Sequence, residues 1–117
     1  MLVTRARRIK KEQGQIDWTR PADEIARQVR AFSPWPGATT SLRDQPLRIW
    51  RASVEAGGAG RAGAVVAVGE TIDVVTGDGA LRVEWLQRAG KRALAAAEFA
   101  NGERDLVGVV LGEGRGE

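Results

Sequence analysis

The side chains of this chain that are equipped for chemistry are cations and tryptophans. Its 117 residues include 18 Lys/Arg and four Trp, with no histidine and no cysteine. Zinc, iron–sulfur and thiol chemistry therefore lack their ligands, and acid–base schemes or triads that use imidazole are excluded. What remains is binding. Arginine and lysine neutralise phosphates and release their counterions, and indole faces offer platforms for bases. The first candidates for phosphate contact are Arg8, Lys10 and Lys11 in a basic arm, then Lys91 and Arg92 in a glycine-led loop, then Arg104. The arm also reads as a solvated linker, and Lys91–Arg92 as an ordinary surface turn. Asp17 has no second ionisable partner at a useful spacing; it reads as a cap on the following helix or a partner for a nearby arginine. Trp18 beside Ile16, and Trp35 between prolines, read as packing residues, and Trp50 and Trp85 as strand residues of the core.

Charge is uneven along the chain. Residues 1–61 carry 12 Lys/Arg against 6 Asp/Glu, a net +6, and residues 62–117 carry 6 against 9, a net −3. Such polarity suggests a side that faces a polyanion; an arginine-rich composition from a GC-rich genome is the plain alternative. No apolar run approaches the ~20 residues of a membrane span, and Met1-Leu2-Val3 is too short for a signal-peptide core. The expectation is a soluble, cytoplasmic protein that makes no membrane contact. A chain of this length forms one domain and folds without disulfide or metal.

The elements that must position these groups are legible from periodicity. Pro21, Asp23 and Glu24 suit a helix start. Ala22, Ile25, Ala26, Val29 and Phe32 then share one apolar face, and Ser33 before Pro34 ends the helix. Asp23 and Arg27 form an i,i+4 pair. Residues 47–52 alternate as a strand, with Leu47, Ile49 and Arg51 on one side and Arg48, Trp50 and Ala52 on the other; which side is core stays open. Further strands are expected over 63–68, 71–76 and 80–86, separated by Gly69-Glu70 and Gly77-Asp78-Gly79. A flexible loop over 57–60 and a short helix over 95–101, closed by Asn101-Gly102, complete the pattern. Short strands with few covering helices tend to close into a barrel. The fold expected is mainly β (α+β): a small OB-like open β-barrel of about five strands with an inserted N-terminal helix and a short C-terminal helix. It spans 14–112, after a basic arm or linker over 1–13 and before a disordered tail over 113–117.

Ile16-Asp17-Trp18, a helix, and Pro34-Trp35-Pro36-Gly37 occur in an order that resembles the C-terminal domain of methionyl-tRNA formyltransferases. Leu47-Arg48-Ile49-Trp50, Thr76-Gly77-Asp78-Gly79, Leu86-Gln87, Gly90-Lys91-Arg92, Ala97-Glu98-Phe99 and Gly102 extend the likeness over about 6–111. Leu94 and Ala95 stand where that family often has Met and Ser. Sugar-nucleotide and other folate-dependent formyltransferases share the first segments, and there the domain is a structural or interaction module that does not meet RNA. The resemblance implies a non-catalytic tRNA-binding domain that gives affinity and orientation for initiator methionyl-tRNA. It implies no catalytic, cofactor or metal residue in this stretch. Formyl transfer from 10-formyltetrahydrofolate belongs to an N-terminal catalytic domain, the implied protein partner, and the protein is expected to be monomeric.

Overall fold

A computed structural model describes residues 14–32, 37–57, 60–103 and 105–112. The basic arm, the turn residues 33–36 with Trp35, part of the 57–60 loop, Arg104 and the 113–117 tail lie outside the described residues. In chain order the elements are α1 (Ala22–Ala31), β1 (Ala38–Leu42), β2 (Gln45–Glu55), β3 (Val65–Val68), β4 (Ile72–Val75), β5 (Ala80–Arg88), β6 (Leu94–Ala95) and α2 (Ala96–Asn101). The strands form one antiparallel sheet in the order β1-β2-β5-β4-β3, with β6 added to β5.

Its two long edges do not stay open. Residues 108–112 lie along β3, where Gly108 N–H donates to Val65 O, Val65 N–H to Val109 O and Leu111 N–H to Gly63 O. Gly112 N–H then reaches Ser41 O of β1 at 2.9 Å, and Ile16 N–H bonds Thr39 O at 2.7 Å. The result is the expected OB-like open barrel, drawn shut by irregular backbone. The core is aliphatic: Ile25, Val29, Ile49, Val74, Leu81 and Val83 are all essentially inaccessible. Trp18 is buried among them, as anticipated, and its Nε1–H donates to Thr40 Oγ1 at 2.9 Å.

The helix buries the face that its apolar period predicts, Ala22, Ile25, Ala26 and Val29. Its start differs from expectation. Pro21 is the N-cap, and Asp17 does not cap the helix. Instead, Asp17 Oδ1 accepts from Thr19 N–H at 3.1 Å and Thr19 Oγ1–H at 2.6 Å, closing its own turn. The helix's first free donor, Ala22 N–H, goes to Asp78 O at 2.9 Å, and Gly77 N–H returns to Arg20 O at 3.1 Å. The β4–β5 turn thus does the capping. That docking needs glycine at 77, because a Cβ there would stand 1.8 Å from Thr19 O.

Two features escape the sequence pattern. Strand β1, Ala-Thr-Thr-Ser-Leu, has no apolar alternation, and it joins β2 by a two-residue turn in which Arg43 (φ 50°) and Asp44 (φ 71°) are both left-handed. Such turns match the twist of a hairpin but usually carry Asn-Gly or Asp-Gly. Here the Arg43 guanidinium is tied to Glu103 Oε1 at 3.0 Å and Asp105 O at 3.1 Å. The second feature is a pair of shifts between β2 and β5. The register runs Ile49↔Leu86, Arg51↔Trp85, Ala52↔Val83, so an extra residue on each strand cancels the other. Leu47 and Ile49 are buried, but Arg51 faces outward with Trp50, which corrects the expected grouping of Leu47, Ile49 and Arg51 on one side.

Two outcomes follow. Gly77→Ala forces main chain apart at the Thr19 contact, and urea denaturation should show a loss of about 1–3 kcal/mol or more. Asp17 has its carboxyl held below the ordinary range, first by the Thr19 hydroxyl, then by the Thr19 amide, with Arg20 adding a smaller pull against burial. The folded state therefore favours the carboxylate; its contribution is complete above the unfolded pKa of ~3.9 and is lost as pH falls through the lower folded value. Asp17→Asn should be less stable than the parent at neutral pH, and thermal melts across the acid range should converge below about pH 4.

Candidate nucleic-acid interface

Of the six candidate cations, Lys91 and Arg92 lie within the described residues, and the fold places them together in the exposed turn between β5 and β6. Arg8, Lys10, Lys11 and Arg104 fall outside. The turn is built from β5 outward. Gln87 is the key: Trp50 Nε1–H donates to its Oε1 at 2.7 Å, and its Nε2–H donates to Lys91 O at 2.6 Å. An indole N–H only donates, so the amide orientation follows from the chemistry. Lys91 N–H closes the turn on Arg88 O at 3.1 Å, with Gly90 in the left-handed region at φ 77°.

Two open clefts flank the turn. One, of about 570 Å³, lies between the turn and α2, with Arg88, Lys91, Arg92, Glu98 and Glu103 on its rim and Leu94 and Phe99 beneath. The other, of about 350 Å³, is lined by Thr39, Pro46, Arg48, Gln87, Arg88 and Gly90. Arg88 belongs to both. Its guanidinium lies 5.2 Å from the centre of the Phe99 ring and pairs with Glu103, so it is held in place rather than offered to a ligand. Arg92 Nη2 meets Glu98 Oε2 at 3.3 Å, with both side chains well exposed. Among the described residues, no ion pair involves Lys91 or Arg48; Arg48 lies 5.7 Å from the Trp50 ring centre. A pterin calls for an enclosed apolar slot with buried polar partners; open clefts with ionic rims do not fit one, and the clefts suit an extended anion better.

Among the described residues, charges of the two halves of the chain meet across the fold. Arg51 faces Glu84 at 3.9 Å, Arg82 meets Glu55 at 2.9 Å and Asp73 at 3.4 Å, and Arg43 meets Glu103. The β2–β5 pairing thus joins charges of one half to opposite charges of the other, Arg51 with Glu84 and Glu55 with Arg82. Among the described residues, one cluster of cations surrounds the 88–92 turn. Arg48 and Arg88 belong to it, Gln87 lies beside them, and none of the three was singled out from sequence. The Leu-Gln-Arg end of β5, adjoining Gly90-Lys91-Arg92, is the signal that points to them. Trp50 and Trp85 also differ from expectation: Trp50 is part-buried on the outer face, and Trp85 is 39% exposed.

A family model described as "Formyl transferase, C-terminal domain" matches residues 8–104. The chain belongs to that family. A methionyl-tRNA formyltransferase of Solibacter usitatus is 45% identical over 96% of this chain and 36% of its own length. That of Chromobacterium violaceum is 41% identical over 94% of this chain and 36% of its own. The chain thus spans about a third of these curated relatives and corresponds to the C-terminal part of such formyltransferases. Among solved structures, HypX from Aquifex aeolicus in complex with tetrahydrofolic acid shares the fold, with TM-score 0.68, 22% identity, and coverage of 82% of this chain and 18% of that one.

Within this formyltransferase C-terminal domain, Gln87 carries two bonds that nothing else replaces. Gln87→Leu removes both bonds, one part-buried and one exposed to water, and should cost about 0.5–1.5 kcal/mol in urea denaturation. Amide exchange at Lys91 should quicken as the turn loosens.

Proposed function

We propose that this domain holds tRNA for a methionyl-tRNA formyltransferase, gripping phosphates at the Lys91–Arg92 turn while a separate catalytic domain transfers the formyl group. The observation that carries the reading is the turn itself, where a lysine with no ion pair among the described residues stands beside an arginine held by a solvent-exposed ion pair. An exposed pair of that kind is worth ~0–1 kcal/mol, so a phosphate displaces Glu98 from Arg92 at little cost. A-form stems are recognised by shape and phosphate contact more than by base edges. The domain accordingly supplies affinity and orientation for initiator methionyl-tRNA, and the basic arm with Arg8, Lys10 and Lys11, together with Arg104, extends the contact. Formyl transfer from 10-formyltetrahydrofolate, in the cytoplasm and by a monomeric enzyme, is the remainder of this reading.

The cross-paired charges of the sheet favour a second reading, a structural module of another folate-dependent formyltransferase that never meets RNA. It predicts no tRNA affinity and a stable association with its catalytic partner on size exclusion.

Titration with tRNA at several salt concentrations separates the two. The tRNA reading expects a dissociation constant of ~10⁻⁴–10⁻⁶ M that weakens steeply with salt. Lys91→Glu and Arg92→Glu should each lower the slope of log affinity against log salt by about one. Absent binding, or binding indifferent to salt, defeats this proposal.

A further inference from the structure

The paired shifts in the β2–β5 ladder put an unusual set of side chains on the outer face. Bulges re-aim side chains at the expense of a regular ladder. Here each strand spends its extra residue where a tryptophan sits: Trp50 and Arg51 on β2, Glu84 and Trp85 on β5. Leu86 and Val83 point into the core at 2% and 1% exposure, so Trp85 and Gln87 share the opposite face. Trp50 joins them through its bond to Gln87, and Arg51 stands directly across from Trp85. Beyond Gln87 comes the turn with Lys91 and Arg92.

From this placement we infer that the Trp85 face is a stacking site for an unpaired nucleotide, with the base on the indole and its phosphate between Arg51 and the Lys91 turn. An indole left 39% exposed beside an exposed arginine forgoes burial that an inward-facing strand position would have given it. Its neighbours decide the occupant. Arg48, Arg51, Lys91 and Arg92 outnumber Glu84 and Glu98 on this surface, so an anionic ligand with a flat apolar face complements it, which describes a nucleotide. The ligand class rests on the RNA reading above. The stacking site adds to it a contact with single-stranded RNA, where phosphate contact alone would grip a stem and a loop alike.

The test measures binding of a labelled single-stranded oligoribonucleotide, and of the same strand in duplex, by the full chain and by Trp85→Ala and Trp85→Leu. Thermal melts first establish that both variants are folded. Both should lose about five-fold or more in single-strand affinity, with duplex affinity and salt slope retained. In a parallel titration with AMP, the Trp85 indole N–H resonance, assigned by its disappearance in the variants, should shift. Unchanged single-strand affinity in both folded variants, or a Trp85 resonance indifferent to AMP, overturns the stacking site and leaves the Lys91 contact standing. A parent that binds no RNA defeats the tRNA reading, and the AMP titration still judges the Trp85 face by itself. Variants that instead weaken association with the catalytic domain make the face a protein interface and overturn the inference.

Discussion

The β2–β5 ladder is the constraint from which the rest of this domain follows. It is the central pairing of the sheet, running from Leu47↔Arg88 to Glu55↔Ala80. On its inner side it sets Ile49 beside Leu86 and Ala52 beside Val83, which anchors the aliphatic core. On its outer side the two cancelling shifts preserve register at both ends while reversing which residues face out between them. A single bulge would have slipped one end of the ladder and turned core side chains to solvent. Two opposed bulges avoid that.

The same ladder governs the electrostatics. Joining residues of the basic half to residues of the acidic half brings Arg51 to Glu84 and Arg82 to Glu55, so charges far apart in sequence neutralise one another across neighbouring strands. These pairs are partly exposed and individually weak. Their combined effect is to neutralise charge along the central ladder. The 88–92 turn leaves that ladder, and Lys91 there makes no ion pair among the described residues.

Much of this was legible beforehand, for identifiable reasons. Helix α1 was visible because Ala22, Ile25, Ala26 and Val29 recur at helical spacing, and β4 and β5 because glycine-rich turns bracket β-branched runs. Strand β1 was not, since Thr40 and Ser41 are buried by tertiary contact without apolar alternation, and the Arg43–Asp44 turn adopts a conformation those residues do not advertise. The outward placement of Trp85 was equally hidden. A bulge is a property of two strands together, and neither strand alone reveals where its partner inserts a residue. For the candidate interface, Lys91 and Arg92 stand out by their glycine-led loop, whereas Arg48 and Arg88 approach them only through sheet pairing.

The strap formed by residues 108–112 bears on how the domain comes into being. Every strand of the sheet precedes it, so during synthesis the β3 edge emerges with its backbone donors and acceptors unmatched, whereas β1 already has Ile16 beside Thr39. Until Leu111 reaches Gly63, the β3 edge is a template for a neighbouring chain. Closure by a segment that follows every strand makes the seating of residues 108–112, rather than collapse of the core, the step that ends the β3 edge's vulnerability to mispairing.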